Sequence, residues 1–183
     1  MRVREATTAD VASIRAVAEA SWERDYVDLL TRDTVAAGVN DWYDEATLTE
    51  QVTDERTPVL VAERAGGADG SEAEPGSPTG TETAETGGVA GFAHGYVDGE
   101  TGHVLRLYVH PDERRSGVGE AVLAATVDAL VERGSERVDA TVLAANEQGR
   151  AFYESQGFEE VAVAETTIGG EAYPECRCRL QDP

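Results

Sequence analysis

The stretch Arg114-Arg115-Ser116-Gly117-Val118-Gly119 is where the sequence first offers chemistry. It follows a short apolar run, Leu105 to Val109, that ends at Pro111, and it opens a long pattern of helical spacing through Val118, Ala121, Val122, Ala125 and Ala129. Glycines let a chain turn tightly and bring its backbone close to a ligand. The unpaired amides of a helix N-terminus, with the helix dipole behind them, make an anion site that suits a pyrophosphate. Arginine side chains add charge-assisted bonds to such a site. Two familiar phosphate loops fail to match. A P-loop needs a lysine, and the chain has none. The dinucleotide fingerprint needs a third small residue where Val122 stands. On this segment alone, an ordinary strand–turn–helix and an anion cradle both stay open.

The elements around it follow from periodicity. Arg2 to Ala6 alternates as a strand, and Thr7, Thr8 and Asp10 are helix-start residues. Val11, Ile14, Val17 and Ala18 then recur at helical spacing, which predicts a helix to about Glu23. A second helical region covers Thr31 to Thr53, with a break expected near Gly38 to Asn40. Trp22, Tyr26, Trp42 and Tyr43 fall in this half, mostly as core, with exposed parts available to line a cleft. Strands are predicted over Thr57–Glu63, Val89–Val97, His103–Val109, Arg137–Leu143, Phe158–Ala164 and Ala172–Leu180. A short helix spans Gln148 to Gln156, and Gly134 and Gly157 read as helix stops. The resulting order, β-α-α-β-β-β-α-β-α-β-β, is an α+β, three-layer arrangement with a mixed sheet flanked by helices. Between Ala65 and Gly88 lie seven glycines, five acids and no apolar residue larger than alanine. Such a segment cannot bury enough apolar area to offset its ordering entropy, so it reads as a flexible acidic loop inside one domain of residues 1–183.

A second chemical segment follows the strand that ends at Leu143. It runs Asn146-Glu-Gln-Gly-Arg-Ala-Phe-Tyr-Glu-Ser-Gln-Gly-Phe158. Together the two segments resemble the GNAT acetyltransferase superfamily. Its cofactor loop, Arg/Gln-x-x-Gly-x-Gly/Ala, is met by Arg114, Gly117 and Gly119. Its preceding strand, Leu-x-Val-x-Pro, is met by Leu107, Val109 and Pro111. Its later signature is met by Asn146, Ala151, Tyr153, Gly157 and Phe158.

The resemblance implies acetyl-CoA as co-substrate, bound between two parallel central strands that splay apart, here Leu105–Val109 and Arg137–Leu143. It implies that the backbone of Leu107, Tyr108 and Val109 pairs with the pantetheine arm. It implies that the amides of Arg115, Ser116, Gly117, Val118, Gly119 and Glu120, flanked by Arg114, hold the pyrophosphate, with Asn146 near the pantetheine. Tyr153 would be the general acid that protonates the departing thiolate. Some relatives place a glutamate as base where this chain has Thr141, so Glu100, His103 and His94 stand as candidates. The implied reaction is acetyl transfer to a primary amine of a small molecule or protein. A non-catalytic acyl-CoA sensor on the same fold is the alternative, because fold does not fix activity.

Composition bounds partners. The formal charge is −21, with 15 arginines against 36 acids. That balance argues against nucleic acid or an anionic membrane surface as partners, and it suits a salt-adapted, halophilic source. The three histidines and two cysteines are not spaced for a metal site, so none is expected. Cys176 and Cys178 read as buried thiols in a reducing cytoplasm. No signal core or apolar run long enough to span a membrane is present in the sequence. A homodimer is compatible with all of this.

Overall fold

The computed structural model describes residues 1–64 and 88–182. The acidic loop expected over 65–88 lies outside the described residues except for Gly88. The Gly88 carbonyl accepts the Arg64 amide at 2.8 Å, so the chain leaves and returns at adjacent points.

One seven-stranded sheet organises the chain. Its strands are β1 (Arg2–Glu5), β2 (Val59–Glu63), β3 (Val89–Asp98), β4 (Thr101–Val109), β5 (Arg137–Leu143), β6 (Phe158–Ile168) and β7 (Glu171–Leu180). The spatial order is β1-β2-β3-β4-β5-β7-β6. Every pairing is antiparallel except β4 with β5. The mixed α+β architecture expected from the sequence is thus the one the chain adopts.

Five helices cover the sheet: α1 (Val11–Asp25), α2 (Arg32–Trp42), α3 (Glu45–Thr53), α4 (Val118–Glu132) and α5 (Glu147–Ser155). The first three pack on one face with Val59, Val61, Phe92 and Tyr108. The other face carries α4 and α5, through Val122, Leu123, Leu130 and Tyr153. Ile14, Val17, Trp22, Val104, Val122 and Leu130 are all but fully buried. Each such side chain contributes on the order of 1.5–3 kcal/mol. Arg4 ties β1 to the start of α1 through two bonds to Asp10, at 2.8 and 2.9 Å.

Two expectations are corrected. The region from Thr31 to Thr53 is two helices, but it breaks at Tyr43–Asp44, not near Gly38–Asn40. Gly38 sits inside α2 because a Cβ there would lie 2.6 Å from the Trp22 ring. It makes room for an indole and does not end the helix. Asp44 starts α3 by accepting from the amides of Ala46 and Thr47, at 3.0 and 3.1 Å. β6 also runs on past Ala164 to Ile168, whose side chain is buried against α2. The β6–β7 hairpin therefore arches over the face that carries α1–α3.

Candidate active site

β4 and β5 pair only from Thr101↔Arg137 to Val104↔Ala140. Beyond that point they part, as the resemblance implies. The parting begins at a bulge: His94 opposes Arg106 while Gly95 opposes Val104, so Leu105 is the extra residue in β4. A bulge bends its strand and locally raises the twist. The opening is a cleft of about 1060 Å3.

Strand hydrogen bonds alternate sides, which decides what the cleft walls present. The His110 amide donates to Ala90 of β3 at 2.8 Å, so Tyr108 and Arg106 also turn their backbone toward β3. Leu107 and Val109 turn theirs into the cleft. On the opposite wall the Ala144 amide donates to Pro174 at 2.9 Å, which leaves Thr141 and Leu143 facing the cleft. The two walls are therefore unpaired strand edges. Tyr108, expected to offer backbone, offers its side chain instead. The Val109 carbonyl is engaged by the Ser21 hydroxyl (3.2 Å) and by Arg114 Nε (3.3 Å), so its amide is what remains.

At the wide end of the cleft stands the start of α4. Gly117 is its N-cap, with φ of +83°, and Arg115 has φ of +59°. That pair of left-handed residues turns the loop sharply. The first helical bond is from the Ala121 amide to the Gly117 carbonyl, at 3.0 Å. The amides before it have no helical acceptor and face the loop's interior. Val118 is buried against the sheet, so it offers only its amide. Ser116 spends its hydroxyl on the Glu113 carbonyl. Arg114, expected beside the pyrophosphate, instead forms a two-point ion pair with Asp25 at the end of α1, both bonds 2.7 Å. It clamps α1 to the loop. Arg115 is exposed and lines the cleft mouth.

Tyr153 lies on the α4–α5 face, edge-on to Phe152 and Phe158, each 5.4 Å away. Its ring is buried and lines the cleft. Burial pushes its phenol well above the usual tyrosine range, with further repulsion from Tyr26 and Cys178. Asn146 caps α5 by accepting the Gly149 amide at 2.8 Å, and its Nδ2 donates to the Tyr26 hydroxyl at 3.4 Å. It thus links the two helical walls. Tyr26, at the end of α1, is a second buried phenol in the cleft.

The three base candidates sit elsewhere. Glu100 lies in the β3–β4 turn and pairs with Arg137 at 3.4 Å. His103 stacks on Tyr96 at the closed end of the β4–β5 pair. His94 is buried beside Arg106, neither ring nitrogen has a partner, and desolvation lowers its pKa to about 4. None lines the cleft. Thr141 does. Two carboxylates flank it on the face that carries α1–α3. Asp139 is bound by Arg179 at 2.7 and 2.9 Å. Glu175 is cross-strand from Leu143 and has no arginine within ion-pair distance among the described residues. Burial raises its pKa, and Arg177 opposes that shift. The β5–β7 register sets Arg177 opposite Thr141 and Glu175 opposite Leu143, a relation that spans 32 residues and leaves no local signal in the sequence.

Among the described residues no cluster of histidine, cysteine or acidic side chains is arranged to hold a metal ion. No described helix is long and apolar enough to cross a membrane.

A splayed β4–β5 pair, an amide-lined turn into α4 and a buried phenol from α5 meet at this cleft, and a mixed seven-stranded sheet with helices on both faces is the fold that carries them. Solved structures share it. The chain superposes on the paiA N-acetyltransferase of Thermoplasma acidophilum in complex with coenzyme A, with TM-score 0.72 and 18% identity over 95% of this chain and 96% of that one. The ribosomal-protein-S18-alanine N-acetyltransferase of Escherichia coli gives a TM-score of 0.65 at 19% identity, over 98% and 92%. The model of the acetyltransferase (GNAT) family matches residues 36–158. The chain belongs to the GNAT acetyltransferase family. Among curated relatives, a mycothiol acetyltransferase of Clavibacter sepedonicus is 43% identical over 77 residues, 42% of this chain and 25% of that protein. The bS18-alanine N-acetyltransferase of Escherichia coli K12 is 34% identical over 79 residues, 43% and 53%. The matched stretch thus spans between a quarter and about half of these relatives' length.

Proposed function

We propose that the chain is an N-acetyltransferase that moves an acetyl group from acetyl-CoA to a primary amine. The observation that carries this reading is the wedge between two unpaired strand edges, with free helix amides at its wide end and Tyr153 beside it. An extended pantetheine arm complements the Leu107 and Val109 edge as an added strand would, and the amides of Arg115–Glu120 suit its pyrophosphate. The names of the relatives support acetyl transfer as the reaction class, and they differ in acceptor.

Acetyl-CoA supplies the activated thioester carbonyl. The β4 edge orients that carbonyl by hydrogen bonding. The amine nitrogen forms its bond to the carbonyl carbon, the C–S bond breaks, and the sulfur leaves with the electron pair. Tyr153 gives that sulfur a proton. A phenol and a thiol differ by about 1.5 pKa units in water, ~2 kcal/mol. Burial raises the Tyr153 phenol, which keeps it protonated and able to donate. The surplus proton on nitrogen goes to Glu175, directly or through water, on the face opposite Tyr153. Deprotonated Glu175 is the working form. Its two buried, unbridged cysteine neighbours on β7 suit a reducing compartment such as the cytoplasm.

The test is thiol release from acetyl-CoA across a panel of amines. Amine-dependent release is expected. Tight acetyl-CoA binding with no release for any amine would leave an acyl-CoA sensor and overturn the proposal.

A further inference from the structure

We infer that Arg106 is the anchor for a carboxylate on the acceptor, so that the amine this site acetylates belongs to a molecule bearing its own carboxylate, such as an amino acid. The inference rests on the acetyltransferase reading and narrows its substrate.

The starting point is an imbalance. Acids outnumber arginines 36 to 15 in this chain, and nine of the arginines have a carboxylate within ion-pair distance. Arg2, Arg24, Arg32, Arg115 and Arg177 have none among the described residues, but all five are exposed to solvent. Among the described residues, Arg106 is the arginine that is partly buried and still lacks an anionic partner. A desolvated cation normally has one.

Its surroundings hold it in place without neutralising it. The guanidinium lies 4.9 Å from the centre of the Tyr43 ring and 5.5 Å from that of Trp42. Nη1 donates to the Trp42 carbonyl at 3.3 Å and meets Gln51 Oε1 at 3.5 Å. Nε and Nη2 have no partner among the described residues. That leaves one edge of the planar fork, the edge that takes a carboxylate by two parallel bonds.

Position completes the case. Arg106 follows the bulge where β4 leaves β5, and it lines the cleft. It shares a face with Tyr108, opposite to the face of Tyr153. α1–α3 cover the Arg106 face, and Trp42 and Tyr43 at the α2–α3 junction hold the guanidinium at the cleft wall. Glu175 lies on that same face, on β7, opposite Leu143. A cation at the cleft wall with a free two-point edge matches an acceptor that brings a carboxylate near its amine.

The test compares acceptors that differ only in the anion: glycine with glycinamide, β-alanine with its amide, and glycyl-glycine with glycyl-glycinamide. The free amino acids and the dipeptide distinguish a carboxylate beside the amine from one further along a chain. Wild-type kcat/KM is expected to favour a carboxylate form over its amide by at least tenfold. Arg106→Gln should erase that preference through KM, with the KM for acetyl-CoA unchanged, and Arg106→Lys should keep part of it. A clamp of purely structural role would lower thermal stability in both variants and leave the preference intact, which would overturn the inference. Should Arg106→Gln fail to fold, the wild-type protein still decides: N-acetylglycine should inhibit more strongly than N-acetylglycinamide, and equal inhibition would overturn the inference. Turnover of amines with no preference for the carboxylate removes this inference alone. Turnover of no amine removes the acetyltransferase reading as well.

Discussion

The two sides of the cleft are built by opposite means. The wall that suits acetyl-CoA is made largely of backbone: the Leu107 and Val109 edge and the amides that open α4. The side proposed for the acceptor is made of side chains from distant segments: Arg106 from β4, held by Trp42 and Tyr43 from the α2–α3 junction, Thr141 from β5 and, on the same face, Glu175 from β7. Backbone recognition needs only a turn and a bulge in the right places, so it is carried by a short contiguous motif. Side-chain recognition depends on where five elements meet, so a relative can change its acceptor without touching the other wall.

Four changes would break or sharpen that contrast. The largest effect is expected from Gly119→Glu. A Cβ at Gly119 would lie 3.3 Å from the Phe152 ring, and the carboxylate would face an anion site. Acetyl-CoA affinity should fall by ~10² or more, read by calorimetry. Undiminished affinity would mean that the backbone wall does not bind the pyrophosphate. Next is Tyr153→Phe, expected to lower kcat by ~10² while acetyl-CoA affinity stays unchanged. A fall in affinity with kcat preserved would make the phenol a packing residue.

On the proposed acceptor side, Glu175→Gln should lower kcat/KM by ~10². Because burial raises the Glu175 carboxyl and its ionised form is the base, wild-type activity should climb as pH rises through that raised pKa. Asp139 is already paired with Arg179, so it does not replace Glu175 at low pH, and the variant's profile should lose this limb. A limb that persists in the variant assigns it to another group. The smallest effect belongs to Asp25→Asn, which loosens the Arg114 clamp on the loop. Stability should drop by ~1 kcal/mol, with a modest rise in the KM for acetyl-CoA and no change of acceptor preference. A changed preference would show that the two walls are coupled through α1.

The contrast also explains what could be read beforehand. The strand–turn–helix from Leu105 to Glu132 was legible because its glycines and its helical spacing are local. Tyr153, seventh residue of the short helix that Asn146 caps, was legible through the Asn146-to-Phe158 motif and its resemblance to the family signature. Gly38 misled because its reason is a ring from another helix. Arg114 was read as a phosphate neighbour, and it is bound to Asp25, 89 residues earlier in the chain. Glu175 gave no signal at all, since its meaning comes from the β5–β7 register.

The sequence by itself determined the order of elements, the α4 turn with its free amides and the phenol on α5. These depend on φ preferences, capping and spacing along a few residues, which a linear chain carries locally. Only the tertiary structure decided which edges of β4 and β5 stay unpaired, that Arg114 clamps α1 through Asp25, and that Arg106 has no carboxylate partner among the described residues. Those facts depend on where strands part and which distant side chains arrive at one face. Long-range pairing and packing set them, and no local propensity records them.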